Sequence, residues 1–257
     1  MKFSASLSML FTEIPFQQRF SEAAGCGFSF VEFWFPFEYG GRELAPVIRG
    51  AGVQTALFNL HPGDISQGDW GLIGVPGRED QFKAAVSQAV ELAVLLGCKN
   101  LNALAGIRPL GLDSEVCYET IRRNLAWVTG QLPDGVTVVL EALNPGDKPG
   151  YILSSPYRAL SLIKEIDSPK VKLLYDLYHA AVVGCDLMKI IHDEIRWVGH
   201  IQVADCPGRH EPGTGEIRFQ RLFPAIEESG YEGYVGLEYK PSVSTHDSLT
   251  WLQKWAA

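Results

Sequence analysis

The feature of this sequence that most constrains its fold is a regular alternation of short apolar runs with longer amphipathic segments. Some runs are almost continuously apolar, as in Val136–Leu140, which is typical of parallel strands covered by helices. Phe82–Leu96 repeats apolar residues at helical spacing and precedes Gly97, a residue common at helix C-caps. The apolar runs predict eight strands: Phe3–Ser8, Phe30–Phe35, Val53–Asn59, Asn100–Ala105, Val136–Ala142, Val171–Asp176, Val198–Val203 and Tyr234–Tyr239.

Eight strand-and-helix units in one chain predict an α/β fold, a closed parallel (β/α)8 or TIM barrel. An open doubly wound sheet normally has fewer units, and barrels of this kind centre on roughly 250 residues. The chain has 257 residues and shows no linker or change of composition. We therefore expect a single TIM-barrel domain that spans residues 1–257.

Charge and cysteine content narrow the classes of partner. The net charge is −8, and the longest run of basic residues is Arg122-Arg123, which argues against nucleic-acid binding and membrane-surface binding. The five cysteines lie far apart without a C-x-x-C motif, as is typical of a reducing compartment. No stretch approaches the ~20 apolar residues that span a bilayer. We expect a cytoplasmic protein with no nucleic-acid or membrane partner.

Oxygen-bearing side chains stand at or near the ends of six predicted strands: Glu32, Asn59, Glu141, Asp176, Gln202 and Glu238. In (β/α)8 barrels, catalytic groups lie at these carboxyl ends. The last four belong to consecutive strands and are expected to converge. Such a set of hard oxygen ligands favours one Mg²⁺ or Mn²⁺ ion, with Zn²⁺ less favoured. Acidic residues also cap helices, so the pattern alone leaves both interpretations open.

The chain resembles the hydroxypyruvate isomerase family, within the xylose isomerase-like barrels, over essentially its whole length. The matching segments are Phe3–Pro15, Val31–Phe33, Pro62–Asp64, Pro76–Glu79, Glu141–Pro145, Asp176–His179, His200–Ala204, Arg209–Pro212, Gly215–Ile217 and Glu238–Pro241. Segments Leu57–Asn59, Asp64-Ile65, Gly68–Leu72 and Lys148-Pro149 resemble the 2-oxo-tetronate isomerase branch in particular. A dimer or tetramer is also suggested by the family.

The resemblance implies an enzyme of carbohydrate metabolism that isomerises a small hydroxy-keto acid. Its substrate pair is 2-oxo-tetronate with 3-oxo-tetronate, or hydroxypyruvate with tartronate semialdehyde. The implied ligands of one Mg²⁺ or Mn²⁺ ion are Glu141, Asp176, Gln202 and Glu238. Glu141 and Glu238 are also the implied catalytic pair, which transfers a proton through an enediolate. Such chemistry suits carboxylates on opposite faces of a substrate and a cation that stabilises developing charge.

Four further residues are predicted to bind the substrate. In related ketose epimerases, a histidine at the position of His179 contacts a substrate oxygen. Lys240 and Arg209 are candidate partners of the substrate carboxylate, with a surface cation as the alternative. Asn59 faces either the substrate or the barrel interior. The epimerases have a histidine ligand where this chain has Gln202, which casts doubt on epimerase activity.

Three other functions remain open at this point. The first is a sugar or inosose isomerase, epimerase or dehydratase on the same barrel, which fold alone does not exclude. The second is a DNA-repair endonuclease on the same barrel, a class that collects several zinc ions with many histidines and exposes a basic groove. The six scattered histidines and the charge of −8 argue against it. The third is a binding module without catalysis.

Overall fold

The strands form one closed barrel in a computed structural model, which describes residues 1–255. Every strand pairs in parallel with its neighbours in chain order, and β8 pairs with β1 to close the cylinder. The strands are β1 Lys2–Ser6, β2 Phe30–Phe33, β3 Gln54–Asn59, β4 Asn100–Asn102, β5 Thr137–Glu141, β6 Val171–Asp176, β7 Val198–Val203 and β8 Tyr234–Leu237. The predicted (β/α)8 fold class is confirmed.

Helices connect the strands and surround the barrel. They are α1 Phe16–Gly25, α2 Leu44–Ala51, α3 Glu79–Leu96, α4 Ser114–Thr129, α5 Pro156–Ile166, α6 Leu177–Val182, α7 Leu187–Asp193, α8 Phe219–Glu228 and α9 Thr245–Ser248. Short 3₁₀ turns lie at Pro36–Tyr39, Gly41–Glu43, Ile65–Gln67, Ile195–Trp197 and Thr250–Lys254. Among residues 1–255, no helix is both long and apolar enough to cross a membrane.

Helix α3 shows how local sequence fixes an element of this fold. Its buried face follows the predicted spacing and includes Phe82, Val86 and Ala89. It begins three residues earlier than predicted, at Glu79, because acidic side chains in a first turn suit the positive end of the helix dipole. It ends where predicted: Gly97 has φ 66°, the left-handed conformation that glycine adopts without a steric penalty.

Two strands match their predicted bounds, and the other six differ at one or both ends. The bounds of β6 and β7 are those predicted, whereas β1, β2, β4, β5 and β8 end earlier than predicted. Glu238 therefore follows β8 directly. Its backbone N–H still donates to Val203 O at 3.2 Å, so the neighbouring strand β7 fixes its position.

The apolar residues form two separate cores. The larger core lies between the outer face of the barrel and the helices, and the smaller one comprises Leu57, Val139 and Leu174. The latter three stand two residues before Asn59, Glu141 and Asp176, so the pleat directs them into the barrel as well. Leu57, Val139 and Leu174 therefore form an apolar layer inside the barrel, directly below Asn59, Glu141 and Asp176.

Candidate active site

A cavity of about 500 Å³ opens at the carboxyl ends of the strands. It has the size of a small-molecule site. Six of the predicted site residues line it: Asn59, Glu141, His179, Arg209, Glu238 and Lys240. Asp176 and Gln202 are also buried, with exposed fractions of 4% and 2%. A larger cavity of about 1100 Å³ lies between α3 and the segments after β2 and β3, and none of the four predicted metal ligands lines it.

Glu141, Asp176 and His179 form a buried triplet at the floor of the site. One nitrogen or oxygen atom of each lies within 4.8 Å of those of the other two. Glu141 is the last residue of β5 and Asp176 the last of β6, and these strands are neighbours in the barrel. The strand-end pattern thus brings two of the predicted metal ligands together, with a histidine beside them.

The sequence left open whether Asp176 caps a helix or binds a metal ion, and the structure allows both. Its Oδ1 accepts hydrogen bonds from the backbone N–H groups of Tyr178 at 2.7 Å and His179 at 3.0 Å. This cap begins α6 and fixes the carboxylate. Its Oδ2 lies 3.7 Å from His179 Nε2 and 3.9 Å from Arg209 Nη2. One oxygen therefore serves the helix, and the other remains available to a ligand.

Glu238 is held by three side chains from three directions. Its Oε1 accepts from Trp34 Nε1 at 2.7 Å and lies 3.3 Å from Gln202 Nε2. Its Oε2 accepts from Arg209 Nη2 at 2.6 Å. Contacts through Gln202 and Arg209 therefore connect Glu238 to the other predicted ligands. Trp34 thus lines the cavity and also donates a hydrogen bond to Glu238.

Arg209 contacts carboxylates of the protein itself. Its guanidinium lies 2.6 Å from Glu238 Oε2 and 3.4 Å from Asp147 Oδ2, and its exposed side-chain fraction is 15%. The backbone of Arg209 has φ 56°, a conformation that residues with side chains seldom adopt. The loop after β7 thus directs a cation into a group of buried carboxylates.

Burial raises the pKa values of all three carboxyl groups at the floor of the site. The pKa of Glu141 lies well above its usual value because of burial, with a further increase from Glu238 and Asp176. Burial raises the pKa of Asp176 to about 6. Burial also raises the pKa of Glu238, against the opposing effect of Arg209. Raised pKa values make these groups better proton acceptors than ordinary carboxylates, and a bound cation would favour their ionised forms.

His179 is a neutral hydrogen-bond donor toward the site. Burial, with a further contribution from Arg209, lowers its pKa to about 3. Its Nδ1 lies 3.2 Å from the backbone N of Asn144, which can only donate, and 2.7 Å from Asn144 Nδ2. Nδ1 is therefore the acceptor, and the proton of the neutral ring is on Nε2. An N–H at this position suits a substrate oxygen better than a metal ion.

Asn59 and Asn102 position Glu141. Asn102 Nδ2 donates to Glu141 Oε2 at 2.7 Å and to Asn59 Oδ1 at 3.1 Å. Asn59 also lines the cavity, so it faces both the barrel interior and the pocket. Asn102 ends β4 and was not among the predicted site residues. Its place at a strand end is the signal that points to it, as it does for Glu141 and Asp176.

Lys148 is a second residue whose place in the site the sequence did not predict. It lines the cavity, and its Nζ lies 3.2 Å from the centre of the Trp70 ring. Burial lowers the pKa of this ammonium group. Within residues 1–255 it forms no ion pair, and the same is true of Lys240, which is exposed at the rim. Lys148 and Lys240 thus differ from Arg209, which is paired with carboxylates of the protein.

Comparisons with known proteins identify the family of this chain. Residues 20–255 match the model of a family described as xylose isomerase-like TIM barrel. The chain is 39% identical over 255 residues to 2-oxo-tetronate isomerase of Pectobacterium atrosepticum, covering 99% of this chain and 97% of the relative. It is 40% identical over 256 residues to hydroxypyruvate isomerase of Escherichia coli, covering 99% of each.

A solved structure shares nearly the whole fold. It is a crystal structure from Brucella melitensis described as AP endonuclease, family 2, with a TM-score of 0.95 and 38% identity, covering 99% of this chain and 98% of that one. The two full-length relatives above are isomerases by name, which confirms the predicted class of enzyme. The chain therefore belongs to the xylose isomerase-like TIM barrel family, among relatives named 2-oxo-tetronate isomerase and hydroxypyruvate isomerase.

Proposed function

We propose that this protein is a divalent-metal-dependent isomerase that interconverts a small 2-keto-3-hydroxy acid and its 3-keto or aldehyde isomer through an enediolate. The candidate substrates are 2-oxo-tetronate and hydroxypyruvate, the acids in the names of its relatives. The observation that carries this proposal is the group of buried carboxyl groups, Glu141, Asp176 and Glu238, beside a cavity of about 500 Å³. Buried carboxylates without matching cations are unfavourable, and an oxygen-binding metal ion would compensate them.

The residues present fit a divalent ion with oxygen ligands. Gln202 Oε1 is buried and finds no hydrogen-bond partner among residues 1–255. Asp176 Oδ2 is not used by the helix cap. Glu141, Asp176, Gln202 and Glu238 would hold Mg²⁺ or Mn²⁺, ions that prefer such hard oxygen donors. When bound, the ion would polarise the substrate oxygens and stabilise negative charge on them.

Glu141 and Glu238 are the proposed proton-transfer pair. Isomerisation removes the proton from the carbon that bears the hydroxyl and returns one to the neighbouring carbonyl carbon, while the hydroxyl proton passes to the former carbonyl oxygen. Burial raises the pKa of both glutamates, which makes each a stronger proton acceptor than an exposed carboxylate. Asn102 orients Glu141, and Trp34 orients Glu238. The Nε2–H of His179 would donate to a substrate oxygen.

The cations around the cavity would select a carboxylate substrate. Lys148 and Lys240 form no ion pair within residues 1–255 and line the cavity. Arg209 is paired with Glu238, so its first role here is to balance the charge of that carboxylate. An acidic chain with a net charge of −8 repels anions at long range. Local cations are therefore needed to bind the acid.

The decisive experiment is an isomerisation assay with Mg²⁺ or Mn²⁺, run in parallel on 2-oxo-tetronate and hydroxypyruvate. Exchange of a substrate C–H with D₂O, followed by proton NMR, should accompany turnover. Loss of a hydroxyl group instead would indicate a dehydratase of the same fold. No metal-dependent conversion of either acid would refute the proposal.

An endonuclease is the second candidate, because a 38% identical structure is described as AP endonuclease, family 2. The net charge of −8 argues against it, since affinity for DNA depends on neutralising phosphates. Binding of abasic-site DNA that weakens steeply as salt rises, together with strand cleavage, would favour the endonuclease.

A further inference from the structure

A buried group of polar side chains, the Glu32 cluster, lies inside the barrel next to the predicted metal ligands. It consists of Glu32, Ser4, His200 and Gln202, from strands β2, β1 and β7. The exposed fraction of each side chain is 2% or less. Glu32 receives a hydrogen bond from each of the other three. A carboxylate deep in a barrel core needs such donors, because burial without them is strongly unfavourable.

The strands are built to admit this carboxylate. The pairing of β2 with β3 shifts between Val31 and Glu32, an irregularity that redirects side chains. Strand β8 contributes Gly236 to the same region, and a Cβ at that position would overlap the Glu32 carboxylate. The absence of a side chain on β8 therefore leaves the space that Glu32 occupies.

The two oxygens of Glu32 have different partners. Oε2 accepts from Ser4 Oγ at 2.5 Å and from His200 Nε2 at 2.8 Å. Oε1 accepts from Gln202 Nε2 at 2.8 Å. Because a carboxylate can only accept, it fixes which end of the Gln202 amide faces it. The amide nitrogen is committed to Glu32, with a longer contact of 3.3 Å to Glu238 Oε1.

The opposite end of that amide is left without a partner. Gln202 Oε1 is buried and accepts no hydrogen bond from residues 1–255. A buried acceptor without a donor is unfavourable, so this oxygen is available for a cation. A glutamine rotated by 180° would present its NH₂ group there and would repel the same cation.

We propose that Glu32 is a positioning residue that holds the Gln202 amide in the orientation whose oxygen can bind the metal ion. This inference rests on the proposed function, because it requires a divalent ion at Gln202. Residues that hydrogen-bond to a metal ligand and orient it typically change metal affinity or activity 10–100-fold when they are altered. Glu32 exerts this effect through Gln202 and does not contact the ion.

The variant Glu32→Gln tests the proposal with a side chain of the same shape. Ser4 and His200 both donate to one side of residue 32, so they hold the new amide oxygen there. The new NH₂ group then faces Gln202 and attracts its Oε1 away from the ion. We expect Mn²⁺ affinity, measured by calorimetry and by the electron paramagnetic resonance of free Mn²⁺, to fall 10–100-fold. Wild-type affinity in Glu32→Gln would overturn the proposal.

Ser4→Ala is the matched control. It removes a donor from Oε2, the oxygen that does not contact Gln202. It should lower the melting temperature and leave Mn²⁺ affinity within about twofold. If Ser4→Ala weakened Mn²⁺ binding as much as Glu32→Gln, general loosening of the barrel interior would explain both, and the positioning role would be wrong.

The exchanged pair Glu32→Gln with Gln202→Glu provides a rescue. In it, the NH₂ group of residue 32 donates to one oxygen of the new carboxylate, and the second oxygen replaces the amide oxygen. A carboxylate needs no such orientation, so Mn²⁺ affinity should return to the wild-type value or exceed it. An affinity at least tenfold below wild type would overturn the proposal, even if Glu32→Gln alone does not fold. Absence of Mn²⁺ binding by the wild-type protein would instead refute the metal site of the proposed function, and this inference with it.

Discussion

Two groups of buried carboxyl side chains lie in the same barrel, and they differ in how their charge is satisfied. Glu32 accepts three hydrogen bonds at 2.5–2.8 Å, from the side chains of Ser4, His200 and Gln202. Glu141, Asp176 and Glu238 are three carboxyl groups near one cation, Arg209, whose guanidinium lies 2.6 Å from Glu238 and 3.9 Å from Asp176, while Glu141 accepts a hydrogen bond from Asn102. Burial alone therefore does not indicate a functional carboxylate. The two sites differ in the number of carboxyl groups: Glu32 is the one carboxylate of its cluster, whereas Glu141, Asp176 and Glu238 lie around one guanidinium.

The physical consequence of this difference is seen in the ionisation of the second group. The pKa values of its three members are raised by burial, which Arg209 only partly opposes for Asp176 and Glu238. Glu141, Asp176 and Glu238, the strand-end group, are three buried carboxyl groups with one guanidinium beside them. A bound cation would compensate this excess of negative charge.

Among the changes considered, removal of metal should have the largest effect on isomerase activity. We expect a chelator to abolish isomerase activity and added Mn²⁺ or Mg²⁺ to restore it. Mn²⁺ should also raise the melting temperature, because a ligand that binds the folded state stabilises it. Activity that persists after exhaustive chelation, verified by metal analysis, would contradict the interpretation of the strand-end group.

Glu141→Gln and Glu238→Gln should each reduce kcat by about 10²–10⁴-fold, the range of general acid–base catalysis. Both variants remove a buried negative charge and keep the shape of the side chain, so circular dichroism should show a folded protein. Asn102→Ala, which removes only the donor to Glu141, serves as a milder comparison. Near-normal turnover in either glutamine variant would exclude that residue from proton transfer.

The pH dependence of Mn²⁺ binding tests whether the buried carboxyl groups of the site hold the ion. Burial raises the pKa of Asp176 to about 6, and a protonated carboxyl group binds Mn²⁺ poorly. Affinity should therefore fall as pH decreases below about 6, by about tenfold per pH unit for one proton displaced. Glu141, with its raised pKa, acts in the same direction. Equal affinities at pH 5 and pH 7.5 in calorimetry would contradict this expectation.

Lys148→Met should have the smallest effect. It removes the ammonium group that faces the cavity and keeps an apolar side chain against Trp70. Loss of a single hydrogen bond of about 1 kcal/mol would raise KM for the acid about fivefold, with kcat little changed. Lys240→Met, at the exposed rim, is the matched comparison. If neither variant changes KM, the carboxylate of the substrate binds elsewhere.

Much of the fold and part of the site were predictable from local sequence patterns. The apolar runs of β6 and β7 have the predicted bounds, and Gly97 ends α3 as predicted. Glu141 and Asp176 do lie at strand ends. These features depend on side-chain alternation and helical spacing, which are properties of short segments.

The partners of the site residues were not predictable in the same way. Arg209 was expected to meet the substrate carboxylate, but its guanidinium contacts Glu238 and Asp147. Asn102 and Lys148 reach the site from β4 and the loop after β5. These contacts join residues far apart in the chain, and they depend on loop conformations that no local period encodes.

The sequence by itself determined a closed parallel barrel and the strand ends at which oxygen-bearing side chains gather. Both follow from patterns within short segments, namely the alternation of side chains along a strand and the repeat of strand and helix. Only the tertiary structure decided which of these side chains are enclosed in the barrel and which line a cavity. Glu32 and Glu238 look alike in sequence, each a glutamate at a strand. Closure of the barrel encloses Glu32 with three donors inside the cylinder, since these donors come from strands that meet only when the cylinder is complete. Glu238 also has three donors, Trp34, Gln202 and Arg209, but it lines a cavity.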